Sequence, residues 1–154
     1  MRAALLSATS VSSAPVSVAA PVFYPLTVER TYPTELTAAV VRGAVVVDIR
    51  THAERAEQGT LPGALAIPAE LVAERLDPVS PGRLAAAVDH DVEWILVSAD
   101  GTRSHGAVAA LLAQGLRRVT HLVGGYAAIR AARLVDAISV AEHVAEDVAR
   151  VTAH

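Results

Sequence analysis

Glu93-Trp94-Ile95-Leu96-Val97 is a short apolar run, and Ser98-Ala99-Asp100-Gly101-Thr102-Arg103 is the polar turn that ends it. The run has the composition of a strand buried on both faces of a parallel sheet. Ser104 then opens a periodic apolar stretch to Gln114 that stops at Gly115, the pattern of a helix. Gly101 permits the sharp turn between the two elements. In open α/β sheets, ligands bind beyond the carboxyl ends of the strands. A loop placed there, with a helix N-terminus beneath it, turns several N–H groups inward and forms a cradle for an anion.

The same alternation extends to both sides of this segment. Thr34 is expected to cap a helix over Glu35 to Arg42, stopped by Gly43, and Ala44 to Ile49 reads as a second buried strand. Ala53 to Gln58 gives one or two helical turns closed by Gly59. Leu61-Pro62-Gly63 is a turn, and Ala64 to Ile67 a short strand ended by Pro68. Helices are expected over Ala69 to Leu76 and, beginning with proline, over Pro81 to Val88. Val119 to Val123 is a further strand, and Gly124-Gly125 leads into a helix to about Leu134. A last helix over Ser139 to Val151 carries a Ser139–Glu142 capping box and a stripe of Val140, Val144, Val148 and Val151. Strands alternating with helices predict a three-layer α/β domain, its central sheet mainly parallel with helices on both faces, plus a C-terminal amphipathic helix.

Composition narrows the chemistry. The chain has 154 residues, enough for one domain, and 32 of them are Ala. No apolar run approaches the ~20 residues needed to cross a bilayer, so a soluble, cytoplasmic protein is expected. A net charge of −3 and five aromatic residues argue against a nucleic-acid partner. There is no cysteine, which excludes thiol catalysis, disulfides and thiolate metal sites. All 13 basic residues are Arg, which excludes Schiff-base chemistry and fits a GC-rich bacterial genome. Residues 3–28 bear no charge and read as a disordered leader, with a weak secretory signal, and hence secretion, as the alternative.

The segment Ser98 to Ser104 resembles the active-site loop of rhodanese-like domains, Cys-x-x-Gly-x-Arg-Ser, with serine in the cysteine position. The likeness extends to Val46-Val47-Asp48-Ile49-Arg50, to Glu54, Gly59 and Leu61-Pro62-Gly63-Ala64, and to Leu122-Val123-Gly124-Gly125-Tyr126, in order. It implies a rhodanese-like domain over residues 29–134, followed by a C-terminal helical extension over 135–154. In active members the loop cysteine takes up a sulfane sulfur as a persulfide and passes it to a nucleophile such as cyanide. That step needs a polarizable thiolate, and serine offers no comparable anion at neutral pH. A phosphatase variant of the family has a loop one residue longer. The six-residue loop and missing thiol exclude it here.

Three functions follow from the resemblance. The first is a catalytically silent module that binds a small sulfur-containing anion or a protein partner. The second is a thiosulfate-type sulfurtransferase whose natural catalytic cysteine has been deliberately substituted by Ser98. The third, least favoured, is a hydrolase using Ser98 with His105, although no Gly-x-Ser-x-Gly elbow surrounds the serine. Ala99, Asp100, Gly101, Thr102, Arg103 and Ser104 would form the anion- or substrate-binding loop. Asp100 opposes an incoming anion. Arg103 would either clamp that anion or pair with a nearby carboxylate. Asp48 and Arg50 share a strand face and are expected to brace the sheet edge by ion pairs, with Glu54 a partner for Arg50. His52, His90, His105, His121, His143 and His154 form no ligand spacing, so no metal and no cofactor is expected. The valine stripe is expected to pack on the domain's own surface, with a homodimer contact as the alternative.

Overall fold

The computed structural model describes residues 28–152, so the expected leader lies outside the described residues apart from Val28. Five strands form one sheet: β1 (Glu29–Thr31), β2 (Val45–Asp48), β3 (Leu65–Ala66), β4 (Glu93–Val97) and β5 (Arg118–Leu122). Their order is β1-β5-β4-β2-β3, and each neighbouring pair is parallel. Register sets Val45 beside Trp94 and Val47 beside Leu96, so the two most apolar runs lie next to each other in the interior. All carboxyl ends therefore emerge on one edge of the sheet.

Six α-helices connect or follow the strands: α1 (Leu36–Val41), α2 (His52–Gln58), α3 (Val72–Arg75), α4 (Thr102–Gln114), α5 (Gly125–Ala131) and α6 (Ala137–Thr152). Successive strand residues point to opposite faces, and the core divides accordingly. Val46, Ile95, Val97 and Leu122 pack with Leu36 and Val40 of α1, Ile129 of α5, and Ile138 and Ala141 of α6. Val47, Trp94, Leu96 and Val119 pack on the other face with Val72 of α3 and Val108 and Leu111 of α4. The expected three-layer α/β architecture, with a terminal helix, is the one observed.

Several local expectations are corrected. Residues Pro81 to Val88 form successive turns rather than a helix. Only Leu84, Ala86 and Ala87 of that stretch reach the core, too few to bury a helical stripe. Thr34 caps nothing. It lies inside a 3₁₀ turn, Pro33–Glu35, in which the Glu35 carboxylate accepts the Tyr32 amide at 2.9 Å. Helix α4 begins at Thr102, not Ser104, because Gly101 at φ +93° already turns the chain. The Ser139–Glu142 capping box does not form, since α6 starts at Ala137 and Ser139 Oγ donates to the Asp136 carbonyl at 3.1 Å. Strand β1 was not anticipated. It is three residues long and lies at the sheet edge, with only Thr31 buried. The valine stripe is exposed, at 60% for Val140, 45% for Val144, 53% for Val148 and 73% for Val151, and not packed on the domain.

Candidate functional site

Strands β2, β4 and β5 all deliver their next residues to the same edge, and the candidate site is built there. From β4, the chain enters Ser98 fully buried and turns at Gly101 into α4. The Gly101 amide donates to Ser98 Oγ at 2.9 Å. Ser98 Oγ donates to Ser104 Oγ at 3.1 Å, and Ser104 Oγ donates to the Gly101 carbonyl at 3.1 Å. The three groups close a ring of hydrogen bonds in which the Ser98 proton and a lone pair are both engaged. The Thr102 amide at the start of α4 is held by Asp100 Oδ1 at 2.9 Å. That contact keeps the exposed Asp100 carboxyl below its usual range, with Arg103 adding a smaller effect.

The loop after β5 interlocks with this turn. The Tyr126 amide donates to the Ser98 carbonyl at 2.8 Å and the Ala127 amide to the Ala99 carbonyl at 3.1 Å. Gly125 lies so close that a Cβ there would stand 2.3 Å from the Ser98 carbonyl oxygen and 2.6 Å from the Gly101 nitrogen. The Gly124-Gly125 pair is thus the sequence signal for a close backbone approach.

From β2 comes a buried ion pair. Arg50 Nη2 lies 2.8 Å from Asp48 Oδ2 and Arg50 Nε 3.0 Å from Asp48 Oδ1, with both side chains almost wholly buried. The Arg50 guanidinium also stacks 3.8 Å over the Tyr126 ring and donates to Gln58 Oε1 at 3.3 Å. Asp48 and Arg50 do come together, but Glu54 is not the partner of Arg50. Glu54 accepts from the Thr51 amide at 2.9 Å as half of an N-terminal capping box on α2, and pairs with Arg103 at 2.5 Å. The Thr51 amide, and after it Arg103, hold the Glu54 carboxyl below its usual range. Arg103 therefore adopts the second of its two expected arrangements, pairing with a carboxylate, and ties the loop to α2.

His105 does not reach Ser98 by a hydrogen bond. It sits in the first turn of α4 with its ring edge-on to His121 of β5, centroids 5.2 Å apart. His121 is buried, and neither of its ring nitrogens has a partner among the described residues. Burial, and secondarily the charges of His105 and Arg30, push its pKa below the ordinary value.

Beside the loop lies a pocket of about 480 Å³ lined by Gln58, Ala99, Tyr126, Ala127, Arg130 and Ala131. Arg130 is exposed there, with no carboxylate partner among the described residues. Sequence reasoning singled out neither Gln58 nor Arg130, because an isolated polar residue on a short helix carries no spacing signal. Among the described residues, no group of three or more His, Asp or Glu side chains could hold a metal ion, and no helix is long and apolar enough to cross a membrane.

Comparison with known proteins agrees with this architecture. A sulfurtransferase of Allochromatium vinosum is 40% identical over 81 residues, which span 53% of this chain and 66% of that protein's length. A protein of unknown function from Rhodopseudomonas palustris, described as a possible tyrosine phosphatase, superimposes with a TM-score of 0.61 and 28% identity. That match covers 69% of this chain and 82% of the other. A rhodanese-like domain protein from Staphylococcus aureus shares the fold, with a TM-score of 0.52 and 24% identity over 66% of this chain and 90% of its own. The family model for the rhodanese-like domain matches residues 32–132, about two thirds of the sequence, and the chain belongs to the rhodanese-like domain family.

Proposed function

We propose that this protein is a catalytically silent rhodanese-like module, with Ser98 at the position of the family's sulfur-accepting cysteine, that binds a small sulfur-containing anion or a protein partner. The observation that carries this reading is the closed hydrogen-bond ring of Ser98, Ser104 and Gly101 at a fully buried hydroxyl. A buried serine hydroxyl with its proton engaged by another hydroxyl, and no histidine hydrogen-bonded to it, has neither the exposure nor the base that a nucleophile requires. No thiol elsewhere in the chain replaces it. Asp100 and Ser98 already engage two loop amides, which takes from the loop part of the N–H cradle that turnover of an anionic donor would use. Binding then falls to the space beside the loop. The pocket beside Ala99 offers Arg130 to an anionic group and alanines with Tyr126 to its apolar part.

The second reading is a thiosulfate-type sulfurtransferase whose cysteine has been replaced by Ser98, favoured by the intact Gly101, Arg103 and Ser104 and by the sulfurtransferase relative. Thiosulfate:cyanide transfer by the protein beside its Ser98→Cys variant tests both. In the active reaction the thiolate displaces sulfite from thiosulfate to form a persulfide, and cyanide then takes the outer sulfur and leaves the thiolate. An inert serine form with an active variant supports a silenced sulfurtransferase scaffold. Inactivity of both supports a pocket devoted to binding, and turnover by the serine form overturns the proposal.

A further inference from the structure

Helix α6 lies beyond the matched family region, and it presents two faces. Ile138 and Ala141 are buried against α1. Val140, Val144, Val148 and Val151, spaced four, four and three residues apart, form a separate row along one side, between 45% and 73% exposed. Four of the nine large exposed hydrophobic residues among the described residues lie in this one row. Such clustering marks an interaction surface rather than scattered surface apolarity.

We propose that this row pairs with the same row of a second copy of the chain, α6 against α6, antiparallel about a two-fold axis. The pattern is self-complementary, as a two-fold contact requires. An axis crossing near residues 145–146 brings Val140 level with Val151 and Val144 level with Val148, so each valine meets a valine. Charge does not oppose the same arrangement. On the row's solvent flank lie His143 and Asp147, and the axis carries each to within about two residues' rise of the other on the opposite copy. Asp147 is held by Arg150 of its own helix at 2.6 Å, so that flank carries a self-neutralised pair and sets no unpaired acid against the other copy. A parallel pairing would instead stack like charges at equal heights. One 16-residue helix is about 24 Å long. Its interface is therefore at the small end of specific contacts, which calls for a reversible, concentration-dependent dimer rather than a permanent one.

The absence of cysteine makes the test clean. Sedimentation equilibrium of the whole protein from 2 to 200 µM should show a reversible monomer–dimer transition, weakened at least tenfold by Val144→Glu. Circular dichroism should be unchanged for that variant, and Val140→Glu provides a second substitution if it is not. Nitroxide labels on single Val140→Cys, Val144→Cys and Val151→Cys variants then report geometry. The antiparallel axis gives a short distance at 144 and distances about 10 Å longer at 140 and 151. Equal distances at all three sites overturn the antiparallel arrangement. A protein that stays monomeric at 200 µM overturns the dimer. Slow maleimide labelling of Val144→Cys in such a monomer would assign the row's cover to the chain's own residues 1–27.

Discussion

At the scale of single residues, the edge of the sheet is organised by Arg50. Its guanidinium is fully buried, and Asp48 is the carboxylate that compensates it. Removing one member of a buried pair leaves an uncompensated charge, at a cost of about 3–5 kcal/mol, whereas exchanging both for apolar residues is often close to neutral. Asp48→Leu should therefore lower stability by that amount in urea denaturation, and the Asp48→Leu/Arg50→Met double variant should recover most of the loss. His121 gives a second prediction. Its folded pKa lies below the ordinary 6.5 because the ring is buried, with no hydrogen-bond partner among the described residues, and faces His105 and Arg30. The unfolded chain thus binds the proton more readily. This destabilising contribution is absent well above pH 6.5, sets in as the pH falls through the unfolded value, and is complete below the folded one. Wild-type stability should fall over that window relative to His121→Phe, and parallel pH–stability curves for the two proteins would contradict it.

At the scale of elements, the loop after β4 and the loop after β5 act as one interlocked unit. A Cβ at Gly125 would meet three backbone atoms of the Ser98 loop within 3 Å, at a φ of +61°. Gly125→Ala should cost about 1–3 kcal/mol from crowding, and should disturb the amide resonances of residues 98–101 more than those of α3. A wild-type-like spectrum would mean the interlock is looser than these distances imply. This unit also shows what could be read from sequence. Strand β4 matched its expected bounds, Glu93 to Val97, because a strand buried on both faces leaves an uninterrupted apolar run. Strand β1 left no such trace, since Glu29 and Arg30 at the sheet edge face solvent. The loop's composition announced its turn at Gly101 and its carboxylate at Asp100. It did not announce that Asp100 folds back on Thr102, or that Glu54 chooses Arg103 over Arg50. Those choices depend on where α2 and α5 dock, a long-range matter that residue spacing does not encode. The segment 81–88 failed for the opposite reason: local composition favoured a helix that the core had no face to receive.

At the scale of the whole molecule, α6 presents one buried face and one exposed apolar face. Its inner face completes the α1 side of the core, where Ile138 is fully buried among Leu36, Val40 and Ile129. The family region, residues 32–132, would otherwise leave that face of α1 open to water. Truncating a buried isoleucine to alanine costs about 2–5 kcal/mol, through lost transfer energy and the cavity left behind. Domains of this kind have total stabilities of about 5–15 kcal/mol, so such a loss is a large fraction of the whole. Ile138→Ala should therefore shift the urea midpoint markedly at any protein concentration. Val144→Ala, six residues along the same helix but exposed, should leave the monomer within about 0.5 kcal/mol of wild type. Its effect should appear only at concentrations where the chain self-associates, because a contact between copies stabilises the folded state by mass action. If the two substitutions instead moved the midpoint equally in dilute solution, α6 would be buried on both sides within a single chain, and its valine face would not be available to a second copy.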